Sequence, residues 1–107
     1  MIYIKKRAEN DLTRLFLGLI RHANLSMLDS LEYIREIKAV CFSLEETNVR
    51  RKTINYDHKK FGKYYHRFDK HDDIQWYIIY DFDKYNNIAI KKIISNKTTK
   101  KAYPRKR

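Results

Sequence analysis

Apolar residues in the first half of the chain recur with the period of an α-helix. One stripe consists of Leu12, Leu15, Phe16, Leu19 and Ile20, and a second of Met27, Leu31, Ile34, Ile37, Cys41 and Leu44. We expect Asn10 or Asp11 to cap the first helix and Asn24 to end it. Ser26 followed by Asp29 resembles a capping box with Asp in place of Glu. The pattern therefore predicts a helical hairpin with one apolar side.

Residues on either side of this hairpin alternate with the period of a β-strand. The expected strands are 2–6, 64–68, 74–82 and 88–94, with 83–87 as a hairpin loop. In 74–82, one face holds Ile74, Trp76, Ile78, Tyr80 and Phe82 and the other holds Tyr77 and Ile79, which is typical of a central strand. Residues 45–62 are polar, with no regular period beyond a short irregular strand or loop at 55–60. The order predicts an α+β domain: an N-terminal strand, a helical hairpin, then a three- to four-stranded, mostly antiparallel sheet.

Length and composition favour a single domain over residues 1–107, with 98–107 as a basic C-terminal tail. The 107 residues are 43% hydrophobic, which suffices for one packed core, and a chain of this length favours one core over two. The longest apolar runs are a few residues, so we expect no membrane span and a cytoplasmic protein. The single cysteine, Cys41, excludes an internal disulfide and falls in a helical stripe as a small core residue.

The positive charge of the chain is concentrated in two segments. Lys and Arg number 24 against 13 Asp and Glu, for a formal net charge of +11. Residues 48–70 carry a net of +6 and residues 96–107 another +6, whereas residues 1–47 are neutral. The middle segment also contains five aromatic residues: Tyr56, Phe61, Tyr64, Tyr65 and Phe68. Because cations neutralise phosphates and aromatic rings stack on bases, this pattern favours a nucleic acid over a membrane surface as the partner.

The basic half of the chain also holds the residue types that cleave RNA without a metal. Such cleavage needs a base for the 2′-OH proton, a cation for the phosphate oxygens and an acid for the leaving 5′-oxygen. The candidates are His58, Lys59, Lys60, Tyr64, Tyr65, His66, Arg67, His71, Lys97 and Tyr103. The histidine spacing matches no zinc pattern and no glycine-rich phosphate loop is present, so we expect no metal and no cofactor. Binding without catalysis is the alternative that residue types alone leave open.

Three segments of the chain resemble the RelE/ParE superfamily of toxin–antitoxin toxins. They are Gly62-Lys-Tyr-Tyr-His-Arg-Phe68, Trp76-Tyr-Ile-Ile-Tyr80 and Ile88-Ala-Ile-Lys-Lys-Ile-Ile94. The family places a similar apolar strand after a strand that bears an arginine, and ends in a basic segment. The resemblance implies a RelE-like microbial RNase fold without a cofactor. RelE-like members are ribosome-dependent mRNA endonucleases (interferases), whereas ParE-like members inhibit DNA gyrase.

Matching positions imply roles for individual residues. Arg67 is similar to the phosphate-binding arginine of RelE-like toxins, and His66 to the catalytic histidine of the YafQ-like branch. Tyr77 stands where the family has a second arginine. The expected catalytic set is His58, His66, Arg67 and Tyr103, with either histidine as base and Tyr103 or the other histidine as acid. The expected RNA-binding set is Lys59, Lys60, Lys63, Tyr64, Tyr65, Lys97, Lys100 and Lys101.

The resemblance also implies partners. A type II toxin has a cognate antitoxin, and a basic toxin surface favours an acidic, disordered antitoxin segment that folds on binding. An interferase would further contact the ribosome and its mRNA, with no membrane and no small-molecule cofactor. A ParE-like gyrase inhibitor and a non-catalytic RNA- or DNA-binding protein are the two alternatives.

Overall fold

The computed structural model describes residues 1–44, 52–53, 61–71 and 74–95, with only the backbone at 52, 53, 70 and 71. The elements are β1 (Ile2–Ile4), α1 (Lys6–Arg21), α2 (Met27–Phe42), β2 (Lys52–Thr53), β3 (Tyr64–His71), β4 (Ile74–Phe82) and β5 (Ile88–Ser95). This order confirms the predicted α+β layout of an N-terminal strand, two helices and then strands. Neither described helix combines the length and the apolar composition that crossing a membrane requires.

The described strands form one mixed sheet in the order β1-β5-β4-β3-β2. β1 runs parallel to β5, and the other neighbouring strands are antiparallel. β4 lies at the centre and buries Ile78 on one face and Ile79 on the other, as its two apolar faces predict. The sequence pattern did not locate β2, because two residues are too few to show a period.

Helix α1 begins directly after β1, earlier than expected. The prediction that Asn10 or Asp11 caps it is wrong, since both lie inside the helix and Lys5 occupies the N-cap without a side-chain hydrogen bond. Asp11 instead binds the exposed edge of β5: its carboxylate accepts from Lys92 Nζ at 2.8 Å and from the backbone N–H of Ile93 at 3.0 Å. This carboxylate ties α1 to the sheet where β1 has ended.

Helix α2 is capped as predicted, but the side of the helix that is buried differs from the predicted apolar stripe. The hydroxyl of Ser26 accepts from the backbone N–H of Asp29 at 3.1 Å. Ile37 and Cys41 are buried, whereas Met27 is 64% exposed. Leu31 also lies outward, at 40% exposure, and the buried side of the helix carries Ser30 and Tyr33 in their place. Helix α1 ends at Arg21, and Asn24 lies in the connection to α2 with a φ of 55°, close to the predicted break.

Tyr33 turns toward the sheet because it contacts Trp76 of β4. The indole N–H of Trp76 donates to the Tyr33 hydroxyl at 3.0 Å, and the two rings meet edge to face with centroids 6.4 Å apart. Both residues are buried, and the core also contains Leu12 and Leu19 of α1. The helices therefore cover the side of the sheet that bears Trp76, Ile78 and Tyr80, which we call the helix-covered face. The other side is called the open face.

Candidate functional site

Strand β3 divides the predicted site residues between the two faces of the sheet. In its regular part, Tyr64 pairs with Tyr80, His66 with Ile78 and Phe68 with Trp76. These partners belong to the helix-covered face. Since successive side chains of a strand point to opposite sides, Tyr65 and Arg67 lie on the open face.

Arg67 is part of an aromatic and basic cluster on the open face. Its cross-strand partner is Tyr77, and the ring of Tyr77 lies 5.7 Å from the ring of Tyr65, at 54° between planes. The guanidinium Nε of Arg67 is 3.9 Å from Asp69 Oδ1, and both side chains are about half exposed. A pair this long and this solvated is weak, so it leaves the guanidinium accessible to a phosphate. We call Tyr65, Arg67 and Tyr77 the open-face cluster.

His66 lies on the helix-covered face, next to Arg67 along the chain but across the sheet from it. It is half-buried, and its cross-strand partner Ile78 is fully buried. The structure therefore does not bring His66 and Arg67 to one surface. Alternation along a strand separates any two consecutive residues in this way.

The two tyrosines predicted to bind RNA also separate. Tyr64 stacks on Tyr80 with centroids 5.8 Å apart and meets Phe82 edge to face at 5.6 Å. Its ring is thereby engaged in packing on the helix-covered face. Tyr65, on the open face, is the one that joins the cluster with Arg67.

Lys63 is held at the open face by a backbone hydrogen bond and not by a position within β3. Its backbone N–H donates to Asp81 Oδ1 at 2.7 Å, just before β3 begins. The preceding Gly62 lies flat on the sheet: a Cβ at this position would come within 2.9 Å of Ile79 Cγ2 and 3.3 Å of the Tyr80 carbonyl oxygen. Only glycine permits this close approach. Residues 61–63 thus cross the open face over Ile79 and help to bury it.

Seven predicted site residues lie outside the described residues. They are His58, Lys59, Lys60, Lys97, Lys100, Lys101 and Tyr103. Most of residues 48–60 and all of 96–107, which carry much of the concentrated positive charge, are also outside the described part. His71 ends β3, and the next two residues lie outside as well.

Tyr77 is the residue that sequence reasoning undervalued. The family resemblance marks it only as a replacement for a family arginine, and the sequence pattern does not predict its contact with Tyr65. The sequence does contain a signal for this contact. Both predicted strands, 64–68 and 74–82, carry tyrosines, and pairing of the two strands brings tyrosines of one near tyrosines of the other. Which tyrosines meet depends on the register, and the irregular pairing between Asp69 and His71 shifts that register.

Other chemistry is limited in the described residues. No group of three His, Cys, Asp or Glu side chains among them is arranged to hold a metal ion. Cys41 is fully buried, and this burial raises the pKa of its thiol to about 12. A buried thiol of such high pKa is not a nucleophile at neutral pH, in agreement with its expected place in the core.

Comparison of the chain with models of known families, with curated proteins and with solved structures finds no match.

Proposed function

We propose that this chain binds single-stranded RNA through the open face of its sheet and cleaves mRNA on the ribosome as a RelE/ParE-like toxin. The observation that carries the proposal is the open-face cluster, in which Arg67 and Tyr77 are cross-strand partners and Tyr77 contacts Tyr65. An exposed guanidinium beside aromatic rings offers phosphate binding and base stacking at one place.

The order of elements gives the second support. A short first strand, two helices and then the three longer strands β3, β4 and β5 are in keeping with the layout that the resemblance implies. Among the described residues the helices cover one face, and we assign RNA binding to the other. This agreement is one of general layout, and the assignment to the toxin family is part of the proposal.

In the proposed reaction the 2′-oxygen of one nucleotide attacks the adjacent phosphorus as a base takes its proton, and the 5′-oxygen leaves with a proton from an acid. Arg67 stabilises the negative charge that grows on the phosphate oxygens. Tyr65 and Tyr77 stack on bases and hold the RNA in place. His58 and Tyr103 are the remaining candidates for base and acid, because His66 lies on the other face.

A non-catalytic RNA-binding protein is the second candidate function. The position of His66 favours it, because His66 and Arg67 lie on opposite faces of the sheet. Either function requires a polyanion on the open face, and the toxin function adds an acidic antitoxin that covers the same face.

The experiment is a translation reaction in a ribosome-containing extract, with a labelled mRNA followed by primer extension. We expect translation to stop and the mRNA to be cut, and Arg67→Ala to reduce cutting by about 100-fold, as loss of a charge-stabilising group does. Arg35→Ala is the matched control, since Arg35 lies on α2 with a 77% exposed side chain and the same charge is lost away from the open face.

The outcomes separate the candidate functions. Intact mRNA with normal translation contradicts the endonuclease. If the purified protein then still binds RNA with an affinity that falls with salt, the non-catalytic function holds. Inhibition of gyrase supercoiling with intact mRNA would instead indicate the ParE-like alternative.

A further inference from the structure

A cavity of about 460 Å³ opens on the open face, beside the residues that cross the sheet. Its charged lining consists of Lys5, Lys63, Lys91, Asp81 and Asp83, and Tyr3 contributes an aromatic wall. The open-face cluster takes no part in this lining. The cavity is thus a second feature of the same face.

Both carboxylates in the cavity are already engaged by the protein. Asp83 accepts from the backbone N–H groups of Tyr85 and Asn87 at 2.9 Å and from the Tyr3 hydroxyl at 3.1 Å. Asp81 accepts from the backbone of Lys63 and pairs with Lys91 Nζ at 3.1 Å. These contacts hold both carboxylates in the walls of the cavity and offset part of their negative charge.

Two of the three lysines that line the cavity differ from the carboxylates, because no described carboxylate neutralises their charge. Lys5 and Lys63 are exposed, and among the described residues neither ammonium group has a carboxylate partner. Their backbone N–H groups are bound, to Ile90 and Asp81 respectively, so the start of each side chain is held while its charge is free to meet a ligand. A concave site with two unneutralised ammonium groups selects for an anion.

We propose that this cavity binds a phosphate group of the RNA strand, with Lys5 and Lys63 as its ligands. This inference rests on the proposed RNA-binding function of the open face. Lys63 and Arg67 are four residues apart along one extended segment, about 13 Å between their Cα atoms, which a strand of a few nucleotides spans. The open-face cluster then holds one nucleotide and the cavity holds the phosphate of another.

Binding of a fluorescent hexauridylate to the full chain, followed by fluorescence anisotropy, tests the site. We expect Lys5→Gln/Lys63→Gln to weaken binding about fivefold, the effect of removing two exposed ion pairs. The slope of log K against log salt should also become smaller by about 0.7, the value for one phosphate of a single strand. Gln keeps both backbone hydrogen bonds. Arg35→Gln/Lys38→Gln on α2 also removes two charges and is the matched control, expected to change neither quantity.

For a second variant we expect the affinity for hexauridylate to rise instead of fall. Asp81→Asn removes a negative charge from the cavity and frees the Lys91 ammonium, while its amide oxygen still accepts from the Lys63 N–H. Binding of hexauridylate should become tighter by about twofold to fivefold. Circular dichroism of each variant checks that the fold is retained.

Titration with uridine monophosphate, followed by NMR, locates the phosphate. The amide signals of Lys63, Ala89 and Lys91 should shift in the native chain and not in the double lysine variant. An unchanged affinity and salt slope in the double lysine variant, or an equal loss with Arg35→Gln/Lys38→Gln, overturns the assignment of the cavity. Binding of hexaglutamate, and not of hexauridylate, at the same lysines would also overturn this assignment and would indicate an acidic peptide as the ligand.

These results are separable from the test of the proposed function. Cleavage in the ribosome-containing extract that depends on Arg67 but not on Lys5 and Lys63 leaves the proposed function standing and removes the cavity from it. Absence of hexauridylate binding to the native chain overturns the cavity assignment, whereas the endonuclease fails only when the mRNA stays intact in the extract.

Discussion

Arg67 on β3 and Tyr77 on β4 are cross-strand partners whose side chains lie on the open face of the sheet. The Tyr65 ring is 5.7 Å from the Tyr77 ring, so a guanidinium and two phenol rings share one small surface. The arrangement joins a charge that a phosphate needs to flat rings on which bases stack. The predictions below follow from this cluster and from the contacts that support the sheet behind it.

Removal of the Tyr77 ring should weaken RNA binding. We expect Tyr77→Ala to lower the affinity for hexauridylate by about 1–3 kcal/mol, the range for loss of one stacked base. Tyr77→Phe should retain most of the affinity, because stacking needs the ring and not the hydroxyl. Tyr85→Ala is the control, since Tyr85 is 73% exposed on the loop between β4 and β5. Equal losses in Tyr77→Ala and Tyr85→Ala would contradict a specific stacking role.

His66→Ala should leave mRNA cleavage and RNA affinity close to those of the native chain. The reason is its place on the helix-covered face, opposite the buried Ile78. The variant should instead lower the free energy of unfolding by about 1 kcal/mol, as is usual for a partly buried residue. Cleavage rates and urea titrations of the same preparation check both statements. Loss of cleavage with unchanged stability would place His66 in the reaction after all.

The bond between Trp76 and Tyr33 should contribute measurably to stability. Tyr33→Phe leaves the buried indole N–H of Trp76 without its acceptor, so unfolding should become easier by about 1–3 kcal/mol. Tyr33→Phe in a Trp76→Phe background should cost less, because no donor is then left unpaired. A double-mutant cycle in urea measures this coupling. Additive effects of the two substitutions would show that the hydrogen bond contributes nothing to stability.

Cys41 should be unreactive in the folded protein. Burial raises its pKa to about 12, so at pH 8 the thiolate is scarce and the sulfur is out of reach. A thiol reagent should modify no cysteine in the native state and one cysteine in denaturant. The raised pKa also implies that stability from this group is complete below the ordinary thiol pKa and is lost as the pH rises toward 12. Rapid modification of the native protein at pH 8 would contradict this burial.

Asp83 should make the fold sensitive to acid. The backbone N–H of Asn87 donates to its carboxylate and, with the N–H of Tyr85 and the Tyr3 hydroxyl, lowers the pKa of Asp83. Because the folded pKa lies below the unfolded one, the stabilisation is present above the unfolded value and is lost as the pH falls through the folded value. Asp83→Asn should therefore lower the Tm at pH 7 and have a smaller effect at pH 2. An equal loss at both pH values would assign the effect to shape and not to charge.

The elements whose hydrophobic pattern extends over many residues were predictable from the sequence. The two helices, the central strand β4 and the last strand β5 each show their pattern over eight or more residues. The Ser26 cap was also predictable, because it depends on residues three apart. The start of α1 was not, because Asp11 has the chemistry of a cap and is used instead by the edge of β5, a contact between residues 82 apart.

The arrangement of the candidate site was likewise predictable only in part. The sequence by itself determined the α+β order, the basic and aromatic composition of residues 48–70, and that consecutive residues of β3 must point to opposite faces. The tertiary structure decided which face is which, because α1 and α2 pack on the side that bears His66, α2 through the contact of Tyr33 with Trp76. It also decided that Tyr77 meets Tyr65 and that Gly62 carries the chain across Ile79, since strand register and close backbone approach join residues that are distant in sequence.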